Sequence, residues 1–216
     1  MKFAVSVLSV LVLATGLSAY RLPATGSGEL AKDLQDFLDL IPLKKASKLV
    51  IAYLARDKEF QAAIEVLYSK ELYNFMMDVE AAPEYAEMIS FMQKAGLDAY
   101  YLLKQLNELL ASQRLHATDY VDTQISGGLV GFAADFGSLV STEKGQVLLD
   151  EKVAAGGVFT EYYNLLMSQR FLEFYKKALN DVHYQILVRD AEKKNIDAVA
   201  FQQLFTILTV LRAVIA

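Results

Sequence analysis

Laid against itself at an offset of 99 residues, the sequence stays in register without a gap, Leu30 to Leu109 falling on Leu129 to Leu208. Identical pairs include Leu30/Leu129, Asp36/Asp135, Phe37/Phe136, Leu40/Leu139, Leu49/Leu148 and Phe60/Phe159. Further along come Leu67/Leu166, Ser69/Ser168, Phe75/Phe174, Tyr85/Tyr184 and Lys94/Lys193, and the dipeptide Asp98-Ala99 returns as Asp197-Ala198. Two unrelated helical segments would share an apolar rhythm. They would not also share a serine, a tyrosine and an Asp-Ala pair in register. A fixed offset is the trace of duplication, so whatever unit the first half forms, the second half forms again.

The unit is helical. Phe60, Ile64 and Leu67 make one apolar stripe; Leu72, Phe75, Met76 and Val79 a second; Tyr85, Met88, Ile89 and Met92 a third; Leu102, Leu106, Leu109 and Leu110 a fourth. No segment alternates with period 2 for long. Asp57, Ser69 and Asp98 stand where an N-cap side chain would accept the free amides of the next turn, and Ser168 and Asp197 repeat the signal. Pro42 and Pro83 suit a first helical turn, and Gly96 suits a C-terminal cap. The spacing predicts about six helices per unit, starting near Glu29, Pro42, Asp57, Ser69, Pro83 and Asp98. The expected fold class is all-α, with a first repeat over 29–111, a linker over 112–128 carrying the Ser126-Gly127-Gly128 breaker, and a second repeat over 129–216.

Ahead of the first repeat, residues 1–19 read as a cleavable signal peptide: Lys2, an apolar run from Phe3 to Ala14, then small residues to Ala19. That run is shorter than the ~20 residues a membrane-spanning helix needs. Residues 20–28 form a short polar leader. Secretion is the expected localisation. Cleavage removes one of 21 cationic residues, leaving 20 against 26 acidic ones and a formal charge of −6, which disfavours nucleic acid and other polyanions. The cysteine count is 0, so thiolate chemistry, Cys-ligated metals and disulfide stapling are excluded and the fold must rest on apolar burial.

Catalytic machinery is not legible. The sequence has no Gly-x-Ser-x-Gly elbow, phosphate loop or His-Glu-x-x-His helix. The two histidines, His116 and His183, are not a repeat pair, since His183 falls on Glu84. They make an unconvincing metal site and read as surface or half-buried residues. Asp33, Asp36 and Asp39 read as the solvated face of a helix whose other side carries Leu30, Leu34, Phe37 and Ile41. No catalytic residue, metal ligand or cofactor is assigned. The run Ala198 to Leu211 carries no charge and reads as core or cavity wall. A brief membrane contact by it would suit a protein that exchanges lipid at a bilayer.

The signal peptide, the two cysteine-free helical units and the run FLDLIPLKKASKLVIAYLARDKEFQAAIEVLYS together resemble the insect allergen-repeat family, which includes the cockroach group 1 allergens and mosquito midgut microvillar proteins. The Phe37 to Pro42 stretch, the Asp57 to Phe60 turn and the Tyr85 helix carry the likeness. The second unit departs from it, with Ser141 in place of Pro42 and Gly156-Gly157 in place of Asp57-Lys58. The resemblance implies two units closing into a helical capsule around a large apolar cavity that holds fatty acids or phospholipids, in a gut-secreted protein that needs no catalysis; the oligomeric state is left open, with a monomer favoured. Candidate lining residues are the repeated apolar pairs Leu67 and Leu166, Phe75 and Phe174, Met88 and Leu187, Leu102 and Phe201, and Leu106 and Phe205. Two rivals stand beside this reading: a detoxifying branch of the family that redirects glucosinolate breakdown towards nitriles, and a filled-core helical scaffold that binds proteins on its surface.

Overall fold

The computed structural model describes residues 20–112 and 122–202, and the described residues are helical throughout, with a single isolated bridge, Ala24 to Leu97, outside the helices. The first half supplies α1 (Glu29–Leu38), α2 (Leu43–Arg56), α3 (Lys58–Leu67), α4 (Lys70–Glu80), α5 (Pro83–Lys94) and α6 (Ala99–Ser112). The second supplies α7 (Gly128–Leu139), α8 (Thr142–Ala155), α9 (Val158–Met167), α10 (Gln169–Leu179) and α11 (Val182–Lys193), and a last helical segment begins at 198. The signal-peptide reading, His116 and most of the linker and C-terminal run lie outside the described residues.

Local chemistry explains the helix starts. The Asp57 carboxylate accepts from the Phe60 amide at 2.7 Å, and the Ser69 hydroxyl from the Leu72 amide at 3.3 Å. Ser168 accepts from Phe171, Asp98 from Tyr101 and Asp197 from Ala200. Each cap satisfies an amide that the helix itself cannot. Pro83 opens α5 at its first position, where its missing N–H costs nothing. Between α8 and α9, Gly156 and Gly157 both sit at φ 77°, a backbone conformation that favours glycine.

The bounds of α8, α10 and α11 are those of α2, α4 and α5 moved along by 99 residues. The halves nevertheless do not fold side by side. α1 packs on α8 and α9, and α7 correspondingly on α2 and α3; α4 lies along α11, and α10 touches α5. Each half thus buries the apolar stripes of the other. Phe37 stacks on Phe159 with centroids 5.3 Å apart, Phe91 faces Tyr162 at 6.1 Å, and Tyr53, Phe60 and Phe132 form one aromatic cluster at 4.7–5.5 Å. Such pairs add about 0.5–1.5 kcal/mol beyond the area they bury.

Two sequence readings need correction. The leader is not wholly polar: Tyr20 and Leu22 are buried, and Gln35, a buried polar side chain, donates to the Tyr20 carbonyl and accepts from the Leu22 amide. The leader then crosses the turn between α5 and α6, Thr25 donating to the Gly96 carbonyl and Asp98 donating to that of Pro23. Gly96 permits this crossing. Its φ is +99°, and a Cβ there would stand 2.6 Å from the Gly28 nitrogen. Nor are Asp33 and Asp36 merely solvated, since both accept from Lys152 of α8, each at 2.5 Å. The lysine that draws them is too far along the chain for helix periodicity to reveal.

Candidate functional site

Among the contacts that join the halves, four seams come as two pairs of equivalent positions. On the α2–α7 seam the Tyr53 hydroxyl donates to Asp135 Oδ2 at 2.6 Å. On the α1–α8 seam the residues 99 positions away, Lys152 and Asp36, make an ion pair. On the α4–α11 seam Glu71 meets His183 Nδ1 at 2.7 Å, with Asp78 3.8 Å from Nε2. On the α5–α10 seam the corresponding contact is Arg170 with Glu84 at 3.4 Å, reinforced by Glu87 at 2.6 Å. The last two pairs have their charges exchanged: acid on α4 and base on α11 in one, base on α10 and acid on α5 in the other.

The surroundings of these groups shift their protonation. The bond to Glu71 is the main reason the His183 imidazole holds its proton above the ordinary histidine value, helped by Asp181 and Asp78. Burial, then the bond to Asp135, raises the Tyr53 phenol. Burial opposes ionisation of Asp135, but donation from Ser126 and Tyr53 outweighs it and lowers this carboxyl. Lys152 is likewise disfavoured by burial and held above its usual value by Asp33 and Asp36. Burial alone pushes Tyr162 well up, and it is the first cause of the rise of Tyr184 to about 12.

The seams are unequal. α4 lies against α11 along most of its length, whereas α10 and α5 meet only locally. Phe75, on α4, is 1 % exposed and packs on Tyr184 at 5.8 Å. Phe174, its counterpart on α10, is only half-buried, and Met167 at the end of α9 and Leu172 on α10 are 52 % and 44 % exposed. Of the ten residues proposed from sequence as cavity lining, Phe75, Met88, Leu102, Leu187 and Phe201 are enclosed by protein. Leu67, Leu166 and Phe174 are half-buried against the core. The side chains of Leu106 and Phe205 lie outside the described residues.

Sequence reasoning missed the α1–α8 side of the molecule. There a groove of about 550 Å³ opens to solvent, floored by Leu40, Val147 and Leu148 and edged by Asp36, Asp39, Glu143, Glu151 and Lys144. Its signal was present in the offset alignment, where Ala52 becomes Glu151 and Lys44 becomes Glu143. Among the described residues no helix is long and apolar enough to cross a membrane, and no cluster of His, Asp or Glu could hold a metal ion.

Interlocked short helices, aromatic pairs joining the two halves and an interior almost wholly apolar define an all-α protein organised around a hydrophobic centre. Residues 29–202 match the family described as insect allergen related repeat, nitrile-specifier detoxification, and the chain belongs to that family. It is similar to Protein G12 of Anopheles gambiae, 23 % identical over 171 residues that cover 78 % of this chain and 79 % of that protein.

Proposed function

We propose that the chain is two copies of one six-helix unit closing as a capsule, and that it is a secreted binder of fatty acids or phospholipids with no catalytic step. The observation that carries this reading is the difference between Phe75 and Phe174. One seam between the halves is sealed, whereas on α10 of its counterpart Phe174 is packed on the core but only half-buried and Leu172 is exposed. Apolar surface left uncovered in this way is costly in water, about 25 cal/mol per Å², and exposed apolar patches mark the places where proteins meet apolar ligands.

Matching helix bounds in the two halves support the duplicated unit, and the aromatic pairs between halves support a shared interior. Affinity would come from burying chain methylenes, about 0.8 kcal/mol each, so discrimination between chain lengths is expected to be poor. The test is organic extraction of natively purified protein followed by mass spectrometry, with a lipid-stripped, refolded sample as control. Stoichiometric acyl lipid that raises the melting temperature on re-addition supports a carrier. No lipid and no thermal shift would overturn it in favour of a filled-core scaffold.

A further inference from the structure

The groove between α1 and α8 has a particular chemistry: an apolar floor of Leu40, Val147 and Leu148 beneath a rim on which Asp39, Glu143 and Glu151 outnumber Lys144. A lysine side chain is the natural complement of such a surface. Its methylene stem lies on apolar atoms while its ammonium reaches a carboxylate at the edge. The structure already shows the pairing next door, where Lys152 places its ammonium 2.5 Å from both Asp33 and Asp36.

The matching surface is on the same molecule. Ninety-nine residues before Glu143, Lys144 and Val147 stand Lys44, Lys45 and Lys48, at the start of α2. All three are exposed, and their spacing puts them on one arc of the helix. On that side Leu49 and Ala52 are buried, where Leu148 is only half-covered and Glu151 is exposed. So equivalent positions of the two halves present a closed basic face and an open acidic groove. α8 itself is thinly covered, with Gly145 its one buried residue.

We propose that the α1–α8 groove is a docking site for a second copy of this chain, which inserts the Lys44, Lys45 and Lys48 face of its α2. Charge complementarity selects this occupant. The groove disfavours acidic partners, and the protein carries its own lysine face of the required form. The contact joins unlike surfaces, so each copy offers one of each to its neighbours.

The test is sedimentation velocity of the full secreted chain over a range of concentrations at low salt, with charge variants at exposed positions. Wild-type protein should sediment faster as concentration rises and return to monomer near 1 M salt, where screening acts within about 3 Å. Reversing the basic face (K44E, K45E and K48E together) or the rim (E143K with E151K) should each weaken association on the order of tenfold or more. Mixing the two variants should restore association, because the intact lysine face of the rim variant meets the intact rim of the other and the two reversed surfaces form a second complementary pair; a mixture that stays dissociated overturns the proposal. Circular dichroism of each variant checks that folding is intact. A wild-type chain that stays monomeric at low salt overturns the proposal, as does association indifferent to both sets of reversals.

Discussion

The hydroxyl of Tyr53 donates to Asp135 across the α2–α7 seam at 2.6 Å, and the same carboxylate accepts from the amide and hydroxyl of Ser126. Tyr53 returns the favour to the linker by accepting from the Gly127 amide at 3.2 Å, while Asp57 accepts from Gly128 at 2.7 Å. One phenol thus ties α2, α7 and the entry to the second half together. Tyr53→Phe keeps the aromatic cluster with Phe60 and Phe132 and removes only the hydroxyl. A hydrogen bond to a charged partner contributes about 1.5–3 kcal/mol, and Ser126 still satisfies Asp135, so the expected loss is near the lower end. Urea denaturation measures it.

Lys152 at the equivalent position behaves differently. Its ammonium faces two carboxylates at 2.5 Å with the lysine side chain 19 % exposed. Lys152→Met leaves Asp33 and Asp36 repelling one another in a partly covered site. The triple change with Asp33→Asn and Asp36→Asn removes that repulsion, and so should recover most of the loss. Melting temperatures of the two variants decide it: a triple variant no more stable than Lys152→Met would contradict this account.

How far the sequence went follows from the range of each interaction. Helix starts were readable because Asp57, Ser69 and Asp98 cap within three residues of themselves, and the core was readable because Phe37, Phe75 and Met88 keep helical spacing. The seams were not. Glu71 and His183 are 112 residues apart, and nothing local says that an acid and a base at those places will meet. The offset comparison held the missing clue, because Arg170 and Glu84 occupy the same two positions with the charges exchanged. Nor could periodicity separate Phe75 from Phe174, identical residues in identical register, since their burial depends on how closely two distant helices approach.

The His183 seam makes stability depend on pH in a definite direction. Its imidazole binds a proton more tightly in the folded chain, chiefly through Glu71. The stabilisation is therefore complete below the unfolded histidine value of about 6.5 and is lost as pH rises through the higher folded value. His183→Gln should flatten the pH dependence of the melting temperature in that window above about 6.5. Arg170→Gln, at the equivalent seam that has no histidine, should leave its shape unchanged.

Gly96 is a position where a single methyl group should be costly. At φ +99° the backbone is in a region that L side chains rarely adopt, and the leader backbone at Gly28 and Glu29 lies 2.6–2.8 Å from where a Cβ would be. Those atoms are main chain and cannot swing aside, and Leu30 donates to the Ala95 carbonyl in the same crossing. Gly96→Ala is expected to cost more than about 1 kcal/mol. The damage should concentrate where the leader meets α5, read as faster amide exchange at Thr25 and Asp98, whose bonds to Gly96 and Pro23 hold that crossing.

The unequal seams lead to the prediction most directly tied to function. Phe75 is sealed between α4 and α11, so Phe75→Ala opens a cavity in packed protein and should cost about 3–5 kcal/mol. Phe174 fills the corresponding place on the looser α5–α10 side and is half-covered, so the same change there should cost clearly less. On the proposal that this chain binds acyl lipid, with the looser side as the place where the acyl chains meet the interior, the order reverses for binding. Phe174→Ala should alter lipid content and the thermal shift on lipid addition, while a milder Phe75→Leu variant leaves both near wild type. Parallel denaturation and extraction experiments on these variants read the two scales separately. Equal effects of both positions on lipid content would mean that the half-buried surface around Phe174 has no special part in uptake.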